Sequence, residues 1–321
     1  MTILITGAGG LGSEMARRLS GAGRPCILAD IRPASDELAS LPGVVPVVCD
    51  VTRPGELEAL MRAHGVTHVA HTAAVLSTGM RANPLAGLEV NLMGTARVLE
   101  AARAAGVGRV VLVSSTTVLY AGFGAFGPGP IPEDAALRLV SDRPLSLYAM
   151  TKLANEQLGL LWRDLYGLDT CALRLGAVIG GEVAAPTSVP GRLFAELAEA
   201  ALGSGQVRID DPFLLWSGPE EFIDLRDCAQ AMIAALDAGS VPAGVYNITH
   251  PAQHGFADVV EAVRRVLGPL EVEHPPLPET GFAGFRYKRP GPTDVSAATR
   301  DLGFSCAHDL EDTLAHWWGR G

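Results

Sequence analysis

The chain has 321 residues, of which 48% are hydrophobic and 19% are charged, and its formal net charge is −10. This composition supplies ample apolar material for a buried core, so it excludes a disordered chain and a small fold that depends on disulfides. The negative charge argues against nucleic acid as a partner, and no apolar run is long enough to predict a membrane span.

Five cysteines, Cys26, Cys49, Cys171, Cys228 and Cys306, are scattered along the chain without a CxxC pair. Their odd number and wide spacing favour reduced thiols. The first residues also lack the basic and apolar regions of a secretory signal. We therefore expect a cytoplasmic protein.

Short β-branched segments alternate with helical patterns along the first half. The predicted strands are 2–6, 25–30, 44–49, 67–71, 109–114 and 170–175, and the predicted helices are 13–22, 84–105 and 147–166. Nearly continuous apolar strands separated by helices indicate a parallel sheet that is covered on both faces. The predicted fold class is α/β, a doubly wound parallel sheet (Rossmann).

After residue 175 glycine and proline become frequent and the apolar segments become short. The predicted helices are 193–202, 227–236, 258–267 and 310–317, and the proline-rich segment 271–292 is expected to contain no regular element. We expect residues 1–175 to form the main domain. Residues 176–321 should form mainly a smaller C-terminal substrate-binding cap, with some segments returning to the main domain.

A glycine turn with GxGxxG spacing separates the first strand from the first helix. Its residues are Gly7, Ala8, Gly9, Gly10, Leu11 and Gly12. A helix amino terminus presents unpaired N–H groups and a positive dipole to a phosphate, and glycines let the phosphate approach. The strand before it and the helix after it are the context that a dinucleotide site requires.

An acidic residue, Asp30, ends the second predicted strand, as the same motif requires. Its carboxylate would accept hydrogen bonds from the ribose hydroxyls and repel a 2′-phosphate. Arg32 lies nearby and could neutralise that phosphate. NAD is therefore the expected cofactor, with NADP as the alternative.

Tyr148 and Lys152 have YxxxK spacing, which places both side chains on one face of a helix. A positive charge close to a tyrosine favours the phenolate, the form that can act as a base. Lys152 is one of two lysines in a chain that otherwise uses arginine. The alternative is that the pair is an unrelated part of a helix surface. No histidine has metal-ligand spacing, and no metal is expected.

Further motifs resemble those of the extended short-chain dehydrogenase/reductases, the group of NAD-dependent epimerases, dehydratases and related dehydrogenases. The similar segments are Asp50-Val51, His71-Thr72-Ala73-Ala74, Asn91 to Thr95, Val113 to Tyr120, Pro132-Glu133-Asp134, Arg289-Pro290-Gly291 and Asp294 to Phe304. The resemblance covers nearly the whole chain. It implies an enzyme in which the first 175 residues bind NAD and carry the catalytic groups.

The resemblance also implies roles for particular residues. Tyr148 would be the general acid or base, Lys152 would lower its pKa and bind ribose, and Thr116 would be the catalytic hydroxyl, with Ser115 as the reserve. The implied cofactor contacts are the glycine turn (Gly7, Gly9, Gly10, Leu11, Gly12), Asp30, Asp50, Val51, Thr72, Ala73, Ala74, Asn91, Tyr148, Lys152 and Leu175. Relatives of this kind commonly dimerise through two long helices, so a homodimer is expected.

Substrate contacts are sought around the nicotinamide end of the site. The candidates are Thr78, Ser115, Thr116, Tyr148, Thr187, Ser188 and Arg192. Arg192 lies near a predicted helix start, where it could bind an anionic group or simply lie exposed. The segment 121–132 borders the reaction and is interpreted as a lid, or else as an ordinary loop.

Two departures from the family pattern bear on the substrate. Glu220 stands where nucleotide-sugar enzymes have an arginine for the diphosphate, and Glu220 with Glu221 is expected to repel such a group. Ala177 stands where epimerases commonly have asparagine. The main hypothesis is therefore an NAD-dependent dehydrogenase or reductase of a small polar alcohol or carbonyl compound, such as a sugar, sugar acid or hydroxy acid. The alternatives are a sugar or nucleotide-sugar epimerase or dehydratase with tightly bound NAD, and a catalytically silent scaffold.

Overall fold

The computed structural model describes residues 1–181 and 186–319. The strands are β1 (Ile3–Thr6), β2 (Cys26–Asp30), β3 (Val44–Val48), β4 (His68–His71), β5 (Arg109–Ser115), β6 (Asp169–Leu175), β7 (Ala177–Ile179), β8 (Gln206–Arg208), β9 (Glu220–Asp224), β10 (Val245–Ile248), β11 (Gln253–His254) and β12 (Glu271–Glu273). The helices are α1 (Gly10–Gly21), α2 (Asp36–Ala39), α3 (Glu56–Ala63), α4 (Ser77–Ala82), α5 (Pro84–Leu88), α6 (Thr95–Ala105), α7 (Leu147–Tyr166), α8 (Val189–Leu202), α9 (Leu225–Asp237), α10 (Phe256–Leu267), α11 (Ser296–Leu302) and α12 (Leu310–Trp318).

A seven-stranded sheet in the order β10-β6-β5-β4-β1-β2-β3 forms the centre of the main domain. Every pairing in it is parallel. Separate apolar clusters cover its two faces, one including Met15 and Met232 and the other including Leu60 and Val98. This arrangement confirms the doubly wound α/β fold. The strand order reverses between β1 and β4, which is where such sheets bind ligands at their carboxyl edge.

Burial explains which segments became strands. All four residues of β1 are buried, as expected for a central strand between two layers of helices. The edge strand β3 has exposed residues and contains Pro46, which has no N–H to donate and therefore suits an edge. The sheet is thus most rigid around β1, next to the glycine turn.

Several elements differ from the predictions. The predicted helix 84–105 is interrupted: α5 and α6 flank a wide π-helical turn, Glu89–Gly94. The strand β10 and the helix α3 lie in segments for which no element was predicted. The expectation of no regular structure in 271–292 was wrong, because this segment contains β12 and a short 3₁₀ turn, Phe282–Gly284.

A second group of elements after residue 176 has its own small sheets and core. The sheets are β11-β9-β7 and β12-β8. Trp216 lies at the centre of this core and makes edge-to-face contacts with Phe222, Phe256 and Phe282. At the same time β10 returns to the central sheet beside β6. Within the two described ranges, no helix has both the length and the hydropathy needed to span a membrane.

Candidate active site

The glycine turn shows how the chain leaves space for a phosphate. A Cβ on Gly12 would lie 1.9 Å from the carbonyl oxygen of Gly7, and a Cβ on Gly7 would lie 2.7 Å from the backbone of Ala73. These two glycines are therefore required by the close packing of α1 and β4 against the turn. A Cβ on Gly9 would meet nothing within 4 Å. Gly9 is the residue before α1, so the open space lies at the helix amino terminus, where a pyrophosphate fits.

Asp30 connects the end of β2 to this turn. Its Oδ2 accepts a hydrogen bond from the backbone N–H of Ala8 at 2.8 Å, and its Oδ1 accepts one from the N–H of Arg32 at 3.0 Å. The Arg32 side chain is 82% exposed and its Nε lies 3.9 Å from Asp30. A fixed carboxylate therefore stands beside the turn, which suits the unphosphorylated ribose of NAD.

The other predicted cofactor residues line the same carboxyl edge and are held by local hydrogen bonds. The Thr72 hydroxyl donates to the carbonyl oxygen of Gly7 at 3.0 Å. The Asn91 amide brackets Val75, accepting from its N–H at 2.7 Å and donating to its carbonyl at 2.9 Å. Through these contacts the residues that follow β4, including Ala73 and Ala74, keep a fixed course next to the glycine turn.

The remaining cofactor candidates lie farther along the same edge. Asp50 accepts hydrogen bonds from the N–H and the hydroxyl of Thr52, which lower the pKa of its carboxyl group. The side chains of Val51 and Leu175 are buried, at 7% and 4% exposure.

Tyr148 and Lys152 lie at the start of α7, which Ser146 caps by accepting a hydrogen bond from the N–H of Ala149. The Lys152 Nζ atom lies 5.5 Å from the centre of the Tyr148 ring. It donates a hydrogen bond of 2.8 Å to the carbonyl oxygen of Val113, near the end of β5. The YxxxK pair therefore lies together at the sheet edge, as its spacing predicts.

Burial dominates the electrostatics of this pair. It raises the pKa of Tyr148 to about 12, opposed by a hydrogen bond from the Ser115 hydroxyl. It lowers the pKa of Lys152 to about 8, opposed by the negative charge of Glu156. The expected lowering of the tyrosine pKa by lysine is therefore outweighed by desolvation in the protein alone.

The two candidate hydroxyl groups lie in different surroundings. Ser115 ends β5 and lies near the phenol of Tyr148, whose pKa is raised by burial and lowered by this serine. The Ser115 hydroxyl also accepts a hydrogen bond from the N–H of Thr117 at 3.3 Å. Thr116 is 1% exposed and lies near Tyr120. Both candidates lie at the end of β5, so the assignment of the catalytic hydroxyl to Thr116, with Ser115 as the reserve, stays a prediction.

The predicted substrate residues beyond β4 meet where α4 contacts the cap. The Thr78 hydroxyl donates to the carbonyl oxygen of Thr187 at 3.0 Å, and the Ser188 hydroxyl caps α8 by accepting from the N–H of Gly191. Arg192 forms an ion pair of 2.7 Å with Asp211.

Sequence reasoning missed two neighbouring side chains, one on α4 and one on the cap, that also meet at this contact. The guanidinium of Arg81, on α4, stacks 4.0 Å above the ring of Phe213, which belongs to the cap. Arg81 also lowers the pKa of Asp211, so it lies near the Arg192 ion pair. Only the three-dimensional contact of α4 with the cap brings these side chains together.

Glu220 and Glu221 belong to a buried cluster that we call the cap network: Tyr120, Glu220, Glu221, Arg289 and Thr293. Arg289 Nη2 lies 2.6 Å from Glu220, and its Nη1 lies 3.1 Å from Glu221. Tyr120 donates to Glu220 at 2.8 Å, and the N–H of Thr293 donates to Glu221 at 2.7 Å. The two carboxylates are 1% and 0% exposed. The expectation that they repel a diphosphate was wrong, because they are paired and cannot face a ligand.

The segment 121–132, interpreted as a lid, packs against the rest of the protein. Phe123 is 4% exposed and Ile131 is 2% exposed. Ile131 forms a parallel bridge with Thr293, and a Cβ on Gly291 would lie 2.5 Å from the carbonyl oxygen of Gly129. The two ends of this segment are therefore packed, while residues 124, 125 and 127–130 are exposed, and the interpretation as a lid stays a prediction. The segment directly follows residues 115–120, which we call the hydroxyl loop.

The sequence matches the model of the NAD-dependent epimerase/dehydratase family over residues 3–249. It is 27% identical to a UDP-glucose 4-epimerase of Bacillus subtilis, and the alignment covers 99% of this chain and 96% of the relative. It is 24% identical to a UDP-glucuronate 4-epimerase of Arabidopsis thaliana, over 99% of this chain and 76% of the relative.

Solved structures give the same grouping. One match is MoeE5 in complex with UDP-glucose and NAD, at 27% identity and a TM-score of 0.76, covering 99% of this chain and 97% of that one. Another is the UDP-glucose 4-epimerase of Thermus thermophilus in complex with NAD, at 25% identity and a TM-score of 0.78, covering 100% of both chains. A partial-consensus L-threonine 3-dehydrogenase has a TM-score of 0.83 at 21% identity, over 99% and 98% of the two chains, which shows a shared fold.

Proposed function

We propose, from the premise that the chain belongs to the NAD-dependent epimerase/dehydratase family, that it is a nucleotide-sugar epimerase whose chemistry centres on Tyr148. Family membership makes it an NAD-dependent enzyme of the short-chain type. The finer assignment reverses the order of the two hypotheses drawn from the sequence. What carries it is the full-length similarity to UDP-sugar 4-epimerases, with 96% of the Bacillus subtilis enzyme covered.

The residues at the sheet edge fit the cofactor and the proton transfer. The chemistry that NAD supplies when bound is the acceptance and return of a hydride. Tyr148 would take the proton of a substrate hydroxyl as that carbon is oxidised and give it back as the carbon is reduced. Ser115 would donate a hydrogen bond to the reacting oxygen, a role that we assign to it in place of Thr116. Lys152 would supply the positive charge that favours the phenolate.

We also propose which groups hold the rest of the substrate. Residues 176–321 would provide the substrate side of the cleft. Thr78, Thr187, Ser188 and Arg192 lie where α4 meets the cap, on the far side of the site from the glycine turn. Arg81 and Phe213 join them as a cation and a partly exposed ring, at 37% exposure, next to the Arg192–Asp211 ion pair. An aromatic ring and two arginines suit an anionic substrate with a planar group.

A net dehydrogenase of a small polar alcohol is the second candidate, and the cap network favours it. Arg289 is 5% exposed and both carboxylates of the network surround its guanidinium. This cation cannot reach a phosphate without breaking two buried ion pairs. A substrate without a diphosphate does not need it.

One experiment separates the two candidates. The protein would be incubated with UDP-glucose or UDP-glucuronate in one arm, and with aldoses, sugar acids and hydroxy acids plus NAD in the other. The epimerase proposal predicts a C4-inverted product with no net NADH absorbance. Stoichiometric NADH formation in the second arm, with no inversion in the first, would reject it in favour of the dehydrogenase.

We further propose a homodimer that pairs the long helices. The apolar side chains of Leu161, Leu165 and Tyr166 on α7 are 48%, 66% and 54% exposed, and Met93 beside α6 is 46% exposed. Isolated apolar side chains are common on surfaces, but several on one helix pair indicate a contact. Light scattering at micromolar concentration should give twice the mass of the chain. A monomer mass would contradict the proposal.

A further inference from the structure

A second buried ion cluster lies directly behind the catalytic pair. We call it the catalytic-helix network: Ser114, Lys152, Glu156 and Arg174. Arg174 donates to Glu156 from Nε at 2.9 Å and from Nη2 at 2.8 Å, and the Ser114 hydroxyl donates to the same carboxylate. The Glu156 side chain is 0% exposed and that of Arg174 is 8% exposed. Water therefore contributes little to the solvation of these charges.

This network joins α7 and β5, which carry Tyr148, Lys152 and Ser115, to the neighbouring strand β6. Glu156 lies one helical turn after Lys152 on α7, so their side chains share a face. Ser114 precedes Ser115 at the end of β5, and Arg174 is its register partner on β6. One carboxylate thus contacts the ends of two strands and lies on the helix that bears Tyr148. Its position fixes the spacing between the serine hydroxyl and the phenol.

Among the titratable groups around Lys152, Glu156 is the neighbour that carries a negative charge. On α7 the titratable neighbours are Tyr148 and Glu156. On β4, His71 is buried between the hydroxyls of Thr6 and Thr95, and burial with the nearby Lys152 lowers its pKa to about 3, so it is neutral. On β6, Arg174 is a second cation that shares Glu156. Nearest on β5 is the neutral carbonyl of Val113.

We propose that Glu156 is a positioning residue for catalysis: its carboxylate holds Lys152 in the ammonium form and clamps the end of β5 against the helix of Tyr148. The role of Lys152 that it supports rests on the function proposed above. Arg174 is paired directly with Glu156, and Lys152 lies one helical turn from the same carboxylate, so two buried cations accompany one anion near the phenol. Arg174 competes with Lys152 for that carboxylate, so it determines how strongly Glu156 stabilises the ammonium form of Lys152.

The two lysines of the chain, Lys152 and Lys288, make a direct test practical. The chain would be labelled with ¹³C-lysine, and the Cε chemical shift of each lysine would be followed against pH by NMR. Lys288 is 41% exposed and paired with Glu279, so it serves as an internal control, and the variant Lys288→Arg assigns the two signals. This measurement needs no substrate and no turnover, so its failure is distinct from a failure of the proposed function.

The decisive variants change the charge on either side of Lys152. In Glu156→Gln the titration midpoint of Lys152 should fall below its wild-type value near pH 8 by roughly one to two units, because the stabilising anion is gone. In Arg174→Gln the midpoint should rise, because the competing cation is gone. Ser114→Ala keeps every charge and should leave the midpoint unchanged. Lys288 should not move in any of them.

A purely structural role gives a different pattern. If Glu156→Gln only loosened the site, entering water would raise the midpoint of Lys152 toward the ordinary lysine value of about 10.4. A midpoint that rises or stays unchanged in folded Glu156→Gln would therefore overturn the proposal. If that variant does not fold, Arg174→Gln decides: a rise supports the proposal, and an unchanged or lower midpoint overturns it.

Discussion

The catalytic-helix network and the cap network both combine buried carboxylates with buried cations, but cations are in excess in the first and carboxylates in the second. The first places two cations, Lys152 and Arg174, around one carboxylate, and the second places two carboxylates, Glu220 and Glu221, around Arg289. The ion pairs of both networks are nearly inaccessible to solvent. The first network has more cations than carboxylates, and its Lys152 lies 5.5 Å from the centre of the Tyr148 ring. We propose that this positive charge favours the phenolate.

The excess charge of the cap network is negative and lies at a joint between three chain segments. Tyr120 comes from the hydroxyl loop, Glu220 and Glu221 from β9, and Arg289 from the segment between α10 and α11. Burial raises the pKa of Glu221, which reduces the cost of the second carboxylate. On our proposal, the first buried ion cluster supports the chemistry, and the second holds the cap to the hydroxyl loop. Four substitutions or conditions, taken from the largest expected effect to the smallest, test that division.

Replacing Tyr148 by Phe removes the acid–base group while leaving both networks intact. We expect turnover to fall by about 10²–10⁴-fold or more, because a positioned proton-transfer group contributes that much. The affinity for NAD, measured by calorimetry, should stay within about threefold of the wild-type value. Tyr166→Phe is a matched control on the same helix, 54% exposed, and should have wild-type activity. A Tyr148→Phe enzyme with wild-type turnover would refute the assignment.

Replacing Arg289 by Met breaks the cap network and leaves two buried carboxylates without a cation. The free energy of unfolding, measured by urea denaturation, should fall by about 3–5 kcal/mol. Adding Glu220→Gln to this variant should recover part of the loss, because one of the unpaired charges is removed. A loss below about 1 kcal/mol for the single variant would mean that the network does not stabilise the joint.

Replacing Ser115 by Ala tests which of the two hydroxyl groups, that of Ser115 or that of Thr116, takes part in the reaction. Loss of a hydrogen bond to an ionised oxygen should lower kcat by roughly tenfold to a hundredfold. Thr116→Ala is the matched comparison: Thr116 is 1% exposed, and we expect its loss to lower stability more than kcat. Equal losses of kcat in both variants would show that the hydroxyl loop acts as a unit.

Acid should weaken the main domain through His71, the neutral histidine next to the catalytic-helix network. Its pKa is lowered to about 3, so between pH 3 and about 6.5 the unfolded chain binds a proton that the folded protein does not. Stability therefore rises with pH across this window, and at pH 5 the cost is about 2 kcal/mol relative to pH 7. His71→Gln should show a flatter dependence of the urea midpoint on pH. The same slope in both proteins would exclude His71 as the cause.

The sequence was most informative where local spacing determines local structure. The strands around β1, the glycine turn before α1 and the helix 147–166 that carries Tyr148 follow from period and turn chemistry, and the structure has them. In a parallel sheet, the loops that follow neighbouring strands meet at the carboxyl edge, so the predicted strand ends also indicate which loops lie close together. Spacing alone therefore predicted the glycine turn and the proximity of Tyr148 and Lys152, while their contacts with a cofactor stay a prediction.

The parts that were missed depend on tertiary contacts. Whether Glu220 faces a ligand or Arg289 cannot be read from a strand of five residues, because its partner lies 69 residues farther along the chain. The strand β10 is short and is stabilised by pairing with β6, so its own sequence gives a weak signal. Whether Ser115 or Thr116 carries the catalytic hydroxyl stays a prediction, because element ends are difficult to locate from a sequence.

The π-helical turn Glu89–Gly94 lies between α5 and α6 and changes the direction in which the side chains of α6 point relative to those before the turn. On its amino-terminal side the turn directs Asn91 to the backbone of Val75, at the ligand edge. Beyond it, Val98 and Leu99 of α6 face the core, both 0% exposed. An extra residue in a helical turn shifts the following side chains by about 100° unless the turn widens to absorb it. The widened turn thus absorbs the extra residue within a single turn of backbone. The side chains before it can therefore face the ligand edge while those after it face the core.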